Sequence, residues 1–129
     1  MFASSAKRAV ESFFDALNNE DVEAVSGLCT SDGCFNDCMF ESVRGNASIV
    51  AFISQLRDAQ LALRAKPRSI TQRGPLMLVK ADMQSNDPRF CGPLQLTFTM
   101  QGARIRTIDA HRGADAASII RLYRKQHAA

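Results

Sequence analysis

The chain has 129 residues, a length that fits one domain, and we expect residues 1–129 to fold as a single unit. Hydrophobic residues make up 46% and charged residues 22%, a balance that excludes an intrinsically disordered chain. The net charge of +3 arises from scattered basic residues with few interleaved aromatic residues, so we predict no nucleic-acid partner.

Three helices are predicted in the first half of the chain, because apolar residues recur there at helical spacing. The periodic stretches cover residues 6–17, 22–29 and 49–56. Ser4 or Ser5 supplies a cap for the first helix, and Asn18-Asn19 ends it. Between the second and third helices, residues 30–33 predict a turn and residues 34–38 a short extended segment.

The second half of the chain shows the alternation of β-strands. Its clearest strand covers residues 94–100, where apolar and polar side chains alternate. Other strand-like stretches and turns follow each other along residues 61–111, and residues 116–126 predict a terminal helix. Three helices followed by about four antiparallel strands predict an α+β domain, with an apolar ligand cavity where the layers do not fill each other.

The cysteines and glycines give no sign of a bound group. Cys29, Cys34, Cys38 and Cys91 contain no Cys-x-x-Cys pair, so we predict free buried thiols and no metal. The chain has no glycine-rich phosphate loop, which predicts that no cofactor is bound. No apolar run reaches the roughly 18 residues of a membrane span, and no signal-peptide stretch opens the chain. We therefore expect a cytoplasmic protein without a membrane partner.

Four short motifs carry a resemblance to known proteins. They are FFDALNNED at 13–21, VSGLCTSD at 25–32, CFND at 34–37 followed by VRG at 43–45, and GARI at 102–105. These motifs resemble those of ketosteroid isomerases and SnoaL-type polyketide cyclases, within the nuclear-transport-factor-2-like superfamily. The resemblance implies a cone-shaped fold in which a curved antiparallel sheet wraps around three N-terminal helices. It also implies a homodimer formed through the sheet face.

The resemblance assigns three catalytic positions. Ketosteroid isomerases use an aspartate as general base, with a tyrosine and a protonated aspartate as donors to the enolate oxygen. The base position falls on Asp37, whose apolar neighbours suit a general base. The tyrosine position falls on Phe13 and the second aspartate on Gln95, so this chain departs from the pattern at both donors. The loss of one such donor typically lowers turnover about 10²- to 10³-fold.

Other readings of these residues stay open. Asp109 and His111 share one face of a predicted strand, either as an acid–base pair or as a surface or dimer contact. Gln95 faces the pocket or, if the apolar residues of its strand face the core, the opposite side. Asp37 is a pocket carboxylate or an exposed turn residue. The predicted walls of the substrate pocket include Phe13, Phe14, Phe35, Phe52 and Phe98.

These residues favour a cofactor-independent isomerase or cyclase that acts on an apolar polycyclic or polyketide-like small molecule. Asp37 would take a proton, and Gln95, Asp109 or His111 would polarise a carbonyl or return the proton. One alternative is a non-catalytic module of the same fold that binds a small ligand or a protein. A further alternative is an epoxide hydrolase or epoxide-opening cyclase, which would need Asp82 and Asp109 to converge.

Overall fold

Three helices form one layer in the part of the chain that the structure describes. The computed structural model describes residues 4–37, 41–112 and 120, and its helices are α1 (Ser5–Asn18), α2 (Val22–Leu28) and α3 (Asn46–Asp58). The Ser4 hydroxyl accepts a hydrogen bond of 3.0 Å from the Lys7 N–H and caps α1. The Asp21 carboxylate caps α2 in the same way, through the Ala24 N–H at 3.1 Å. The three predicted helices are thus confirmed, in the predicted order.

Among the described residues, six strands form one curved sheet in the order β2-β1-β6-β5-β4-β3. They are β1 (Cys29–Asn36), β2 (Ser42–Arg44), β3 (Arg64–Arg73), β4 (Leu76–Gln84), β5 (Gly92–Gln101) and β6 (Arg104–Arg112). All neighbouring strands pair antiparallel except β1 and β6, which are parallel. The α+β architecture is confirmed, but the prediction of a wholly antiparallel sheet is wrong. The long connection between β1 and β6, which contains α3, lets the two strands run in the same direction.

The turn predicted at residues 30–33 is part of β1 instead. The register between β1 and β6 shifts between Cys29 and Cys34, so the turn-forming residues make an irregularity in the strand and do not reverse the chain. Gly33 is suited to this place, because a Cβ atom there would lie only 3.1 Å from the carbonyl oxygen of Thr30. Residues that favour a turn are therefore part of a paired strand here.

The hydrophobic core lies between the helices and one face of the sheet, which we call the inner face. Along β5, Leu94, Leu96, Phe98 and Met100 are buried, as their alternation predicts. The ring of Phe98 packs edge-on against Phe13 and Phe14 of α1, with centroids 5.4 and 5.9 Å apart. This aromatic cluster joins α1 to the middle of the sheet.

A single asparagine ties α2, β1 and α3 together. The Asn46 side-chain amide donates to the carbonyl oxygens of Ser26 at 2.9 Å and Cys29 at 3.1 Å, and it accepts from the Ser26 hydroxyl at 2.9 Å. Of the predicted terminal helix only Ile120, which is helical, belongs to the described residues. None of the helices in the described ranges has the length and apolar composition needed to cross a membrane.

Candidate functional site

An apolar cavity of about 90 Å³ lies between the helices and the inner face of the sheet. Its wall is formed by Phe13, Leu17, Phe35, Ile49, Phe52, Ile53, Leu56, Leu63, Arg64, Ala65, Met83, Leu94, Leu96, Ile108 and Ala110. The cavity surface is entirely apolar, although Arg64 is among these residues. The Arg64 guanidinium lies near Glu20, at 3.4 Å, and donates to the Leu63 carbonyl oxygen at 2.9 Å. Arg64 therefore lines the cavity with its aliphatic stem.

Asp37 is a buried carboxylate immediately after β1. The residue is 6% exposed, so it is not an exposed turn residue. The Asp37 N–H donates to the Glu41 carbonyl oxygen at 2.8 Å, and the carboxylate Oδ2 accepts from the Ile120 N–H at 3.4 Å. Asp37 follows Phe35 by two residues, and Phe35 lines the cavity, but Asp37 itself is not part of the cavity wall.

Ile120 connects Asp37 with the apolar layer. Its side chain is fully buried and packs in one cluster with Val43, Ile49, Phe35, Phe52 and Ile53. Several members of this cluster also line the cavity. Sequence reasoning did not identify Ile120 as a site residue, because nothing local relates it to Asp37, 83 residues earlier.

The predicted aromatic wall is present in part. Phe13, Phe35 and Phe52 line the cavity, and the rings of Phe35 and Phe52 lie 6.1 Å apart. Phe14 and Phe98 are instead packed in the core beside it. Three of the five predicted ligand contacts therefore line the cavity, and the other two lie in the core next to it.

Gln95, Asp109 and His111 lie on the opposite side of the sheet, which we call the outer face. Apolar residues of β5 and β6 occupy the inner face, so the alternating residues point away from the cavity. Gln95 and His111 are register partners and line an open groove of about 460 Å³. The side-chain amide of Asn36 donates to Asp109 Oδ1 at 2.8 Å. The structure therefore separates these three residues from Asp37, and Gln95 does not enter the cavity.

The carboxylates required for an epoxide hydrolase also face outward. Asp82 lies in the same outer groove and pairs with Arg68 at 2.6 Å, whereas Asp109 is held by Asn36. Neither residue belongs to the cavity wall. The two carboxylates consequently do not converge on the cavity.

The cysteines occupy three different environments. Burial raises the pKa of the Cys29 thiol to about 11. Cys34 is half-buried, and Cys91 is exposed, so the prediction that all the cysteines are buried is wrong for Cys91. Its exposure follows from its place after the short 3₁₀ turn Pro88–Phe90, at the protein surface. Cys38 lies outside the described residues, within which no three metal-ligating side chains converge.

One carboxylate outside the cavity, that of Asp87, has a perturbed pKa. Hydrogen bonds from the Arg89 side chain and backbone lower the pKa of Asp87, and the same side-chain hydrogen bond raises the pKa of Arg89. The Asp87 carboxylate also caps the 3₁₀ turn by accepting from the Arg89 N–H at 3.0 Å. These shifts belong to a surface cap and not to the cavity.

Several solved structures share this fold. A Sinorhizobium meliloti protein to which polyketide cyclase activity has been ascribed is 24% identical, with a TM-score of 0.74 over 81% of this chain and 94% of that chain. An epoxide hydrolase of the limonene-epoxide-hydrolase-like type from M. tuberculosis is 20% identical, with a TM-score of 0.75 over 87% and 85%. A Catenulispora acidiphila protein with a ketosteroid isomerase-like fold, in complex with trimethylamine, is 16% identical, with a TM-score of 0.73 over 84% and 87%.

The family is identified by comparison with a domain model and not by comparison with single sequences. None of the curated protein sequences compared with this chain matches it. The model of the SnoaL-like domain matches residues 10–122, which is most of the chain. With its helices, its curved sheet and its apolar cavity, the chain belongs to the SnoaL-like domain family, within the nuclear-transport-factor-2-like superfamily.

Proposed function

We propose that this protein is a cofactor-independent isomerase or cyclase that moves a proton on an apolar, polyketide-like or polycyclic molecule. Asp37 acts as the general base. The observation that carries this proposal is a buried carboxylate beside an apolar cavity: Asp37 is 6% exposed, and Phe35, two residues earlier, is part of the cavity wall. A carboxylate shielded from water next to an apolar binding site is suited to removing a proton from carbon.

An apolar cavity favours a substrate in which the C–H bond to be deprotonated is already acidic. The described residues contribute no polar atom to the cavity surface, and Phe13, at the position of the isomerase tyrosine, has no hydroxyl group to donate to an enolate oxygen. We therefore favour a carbon between two carbonyl groups, as in a poly-β-ketone, because such a substrate delocalises the enolate charge itself. Gln95, Asp109 and His111 have no contact with the ligand in this mechanism, since they lie on the outer face.

Asp37 first takes the proton and later gives it back, so the reaction needs no second acid or base. Asp37 takes the proton from the carbon between the carbonyls, and the C–H electron pair becomes the enolate. In a cyclisation the enolate carbon forms a bond with a second carbonyl carbon, whose oxygen receives the proton from Asp37. In an isomerisation Asp37 returns the proton to a different carbon of the same conjugated system. Neither route requires an oxidant, a reductant or a cofactor.

The test compares two aspartate variants. Asp37→Asn keeps the size of the side chain and removes the base, and Asp32→Asn changes an exposed aspartate of β1, the strand that precedes Asp37. With a bicyclic β,γ-unsaturated ketone and a cyclic 1,3-diketone, we measure formation of the conjugated enone and exchange of the acidic C–H for deuterium. We expect Asp37→Asn to lose about 10²- to 10⁴-fold in rate and Asp32→Asn to match the wild type. Equal rates for wild type and Asp37→Asn would refute the base assignment.

A second candidate is a ligand-binding module without turnover. The observation that favours it is the position of Asp37 outside the wall of an otherwise apolar cavity. In that case, wild type and Asp37→Asn would bind an apolar ligand equally, and the wild type would show no exchange above the buffer rate. A ligand-binding measurement, made together with the exchange assay, therefore separates the enzyme from the binding module.

We also propose that the protein acts in the cytoplasm as a homodimer formed through the outer face. The half-buried residues Leu76, Leu78, Thr97, Thr99 and Thr107 support this, because they are neighbours in the register of β4, β5 and β6 and form an uncharged patch on the outer face. A two-fold symmetric dimer would bring this patch against the same patch of a second copy. Sedimentation equilibrium should give a dimer for the wild type and a monomer for Leu78→Glu. A wild type that stays monomeric over a 100-fold range of protein concentration would contradict this proposal.

A further inference from the structure

Arg64 lies where the apolar cavity meets the protein surface. Its aliphatic stem is part of the cavity wall, and its side chain is 43% exposed, so the guanidinium extends toward solvent. We propose that the Arg64 guanidinium binds an anionic group of a ligand whose apolar body occupies the cavity. This inference rests on the proposed function of the cavity, and it names the substrate class as an apolar molecule with one acidic group, such as a carboxylate.

The cavity continues into a second, smaller depression beside Arg64. This depression has a volume of about 30 Å³, and it shares with the cavity the wall residues Leu17, Ile53, Leu56 and Leu63. The other residues that line it are Glu20, Arg57 and Ala62. The apolar wall of the cavity is therefore followed by charged side chains in this direction, and two of the three charged groups at this rim, those of Arg57 and Arg64, are cations.

The size of the cavity directs a ligand toward this rim. Pockets that hold drug-sized ligands typically measure about 300–1,000 Å³. The cavity of about 90 Å³ is several times smaller, so a polycyclic or polyketide-like molecule does not fit into it alone. The wall that the cavity shares with the depression offers apolar contacts to the part of the ligand that extends beyond the cavity. The end of such a ligand therefore lies beside Arg64.

The Arg64 guanidinium has donors available for this end. Arginine has five side-chain N–H donors, and Nη1 makes both described contacts. It donates to the Leu63 carbonyl oxygen at 2.9 Å and lies 3.4 Å from Glu20 Oε1, whereas Nε and Nη2 have no partner among the described residues. The contact with Glu20 is longer than the usual 2.7–3.2 Å, and both side chains are more than one-third exposed. Such an ion pair is weak, so the anionic group of a ligand can replace Glu20.

Arg64 and the proposed general base lie on opposite sides of the cavity. The cavity wall extends across the sheet from Phe35 on β1 to Arg64 on β3, and the strands β6, β5 and β4 between them also contribute to it. Asp37 follows Phe35 by two residues. An anionic group held by Arg64 is thus kept away from the Asp37 carboxylate, which limits the repulsion between the two charges. The same contact directs the other end of the ligand toward the base.

The experiment uses two fluorescent dyes that differ by one anionic group. N-phenyl-1-naphthylamine is uncharged, and 8-anilinonaphthalene-1-sulfonate has the same aromatic body with a sulfonate. We expect the wild type to bind the sulfonate about ten-fold more tightly than the uncharged dye, as for a charge-assisted hydrogen bond. Arg64→Met keeps an apolar stem and should lose this preference without losing affinity for the uncharged dye. Arg73→Met removes the same charge at the other end of β3, outside the cavity wall, and should keep the preference.

A second variant and a measurement on the wild type make the test independent of the stability of Arg64→Met. Glu20→Gln removes the competing carboxylate and should bind the sulfonate several-fold more tightly than the wild type, with no change for the uncharged dye. In the wild type, the NMR signal of the Arg64 Nε–H should shift further with the sulfonate than with the uncharged dye.

Three results would overturn the inference and leave the proposed pocket intact. They are equal affinity of the wild type for the two dyes, equal shifts of the Arg64 signal, and an unchanged preference in Arg64→Met. If the wild type binds neither dye, the proposed pocket fails, and the inference fails with it. The general base is tested separately, by the deuterium exchange of Asp37→Asn.

Discussion

The side-chain amide of Asn36 donates a hydrogen bond of 2.8 Å to Asp109 Oδ1, across the parallel pair of β1 and β6. The oxygen of the same amide accepts from the Ser42 hydroxyl at 2.9 Å and from the Cys34 thiol at 3.2 Å. Asn36 thus orients its donor toward the carboxylate of Asp109. This small network on the outer face connects β1 and β6, the first and the last strands along the described chain, which are neighbours in the sheet.

Asn36→Asp should weaken this pairing. The substitution keeps the shape but sets a second carboxylate at hydrogen-bond distance from Asp109, and we expect a loss of about 1–3 kcal/mol in unfolding free energy at pH 7. Urea denaturation measures it, with Thr71→Asp on exposed β3 as the control for added charge. An equal loss in both variants would contradict the prediction.

Asn18 should contribute strongly to stability through α1. Its side-chain amide donates to the Ala65 carbonyl oxygen at 2.9 Å and accepts from the Ala65 N–H at 2.8 Å, 47 residues along the chain. Asn18→Ala leaves both backbone groups of a buried residue without these partners, so we expect a loss of about 2–3 kcal/mol. Asn19→Ala, at the exposed neighbouring position, should change the unfolding free energy by less than about 0.5 kcal/mol. A similar small effect of both variants would show that the Asn18 contact is unimportant.

Thr30→Val should stabilise the protein. The Thr30 hydroxyl oxygen is buried and, among the described residues, has no hydrogen-bond partner. Valine keeps the branched shape and removes the unpaired polar group, so we expect a gain of about 1 kcal/mol in unfolding free energy. The exposed Thr71→Val serves as the control for the change in strand propensity. A loss of stability specific to Thr30→Val would indicate that the hydroxyl is bonded in solution.

Cys29 should make stability depend on pH in the alkaline range. Burial raises the pKa of its thiol from 9.0 to about 11, so the folded protein retains a proton that the unfolded chain has lost. This contribution is fully present below pH 9 and is lost as the pH rises from 9 to about 11, with a total on the order of 2 kcal/mol. The difference in unfolding free energy between wild type and Cys29→Ala should decrease over that interval. A difference that stays constant from pH 8 to 11 would contradict a raised pKa.

Ala110→Leu should close the apolar cavity. Ala110 is buried on β6 and lines the cavity, whose volume of about 90 Å³ can accept the three additional carbon atoms. We expect at least ten-fold weaker binding of N-phenyl-1-naphthylamine, with a change in stability below about 1 kcal/mol. Ala81→Leu, equally buried on β4 but outside the cavity wall, should instead cost about 1–3 kcal/mol by overpacking and keep the affinity. If Ala81→Leu weakens binding and Ala110→Leu does not, the dye binds outside this cavity.

The sequence by itself determined the helices, most strands and the direction of their side chains. Apolar residues at helical spacing predict α1, α2 and α3, and the alternation of residues 94–100 predicts which side of β5 faces the core. These features depend on neighbours a few residues apart, so a local pattern is sufficient to predict them. The alternation left open whether Gln95 faces the pocket, and the structure places it on the side of β5 opposite Leu94 and Leu96.

Only the tertiary structure decided what surrounds Asp37 and in which order the strands of the sheet pair. The turn-like residues 30–33 became part of β1 because pairing with β6 outweighs their local preference. Asp37 meets Ile120 across 83 residues, and Asn36 meets Asp109 across 73. Such contacts depend on the order and register of all six strands, which no local spacing of residues encodes. The separation of Asp37 from Gln95 and His111 arises in the same way, from the two faces of one assembled sheet.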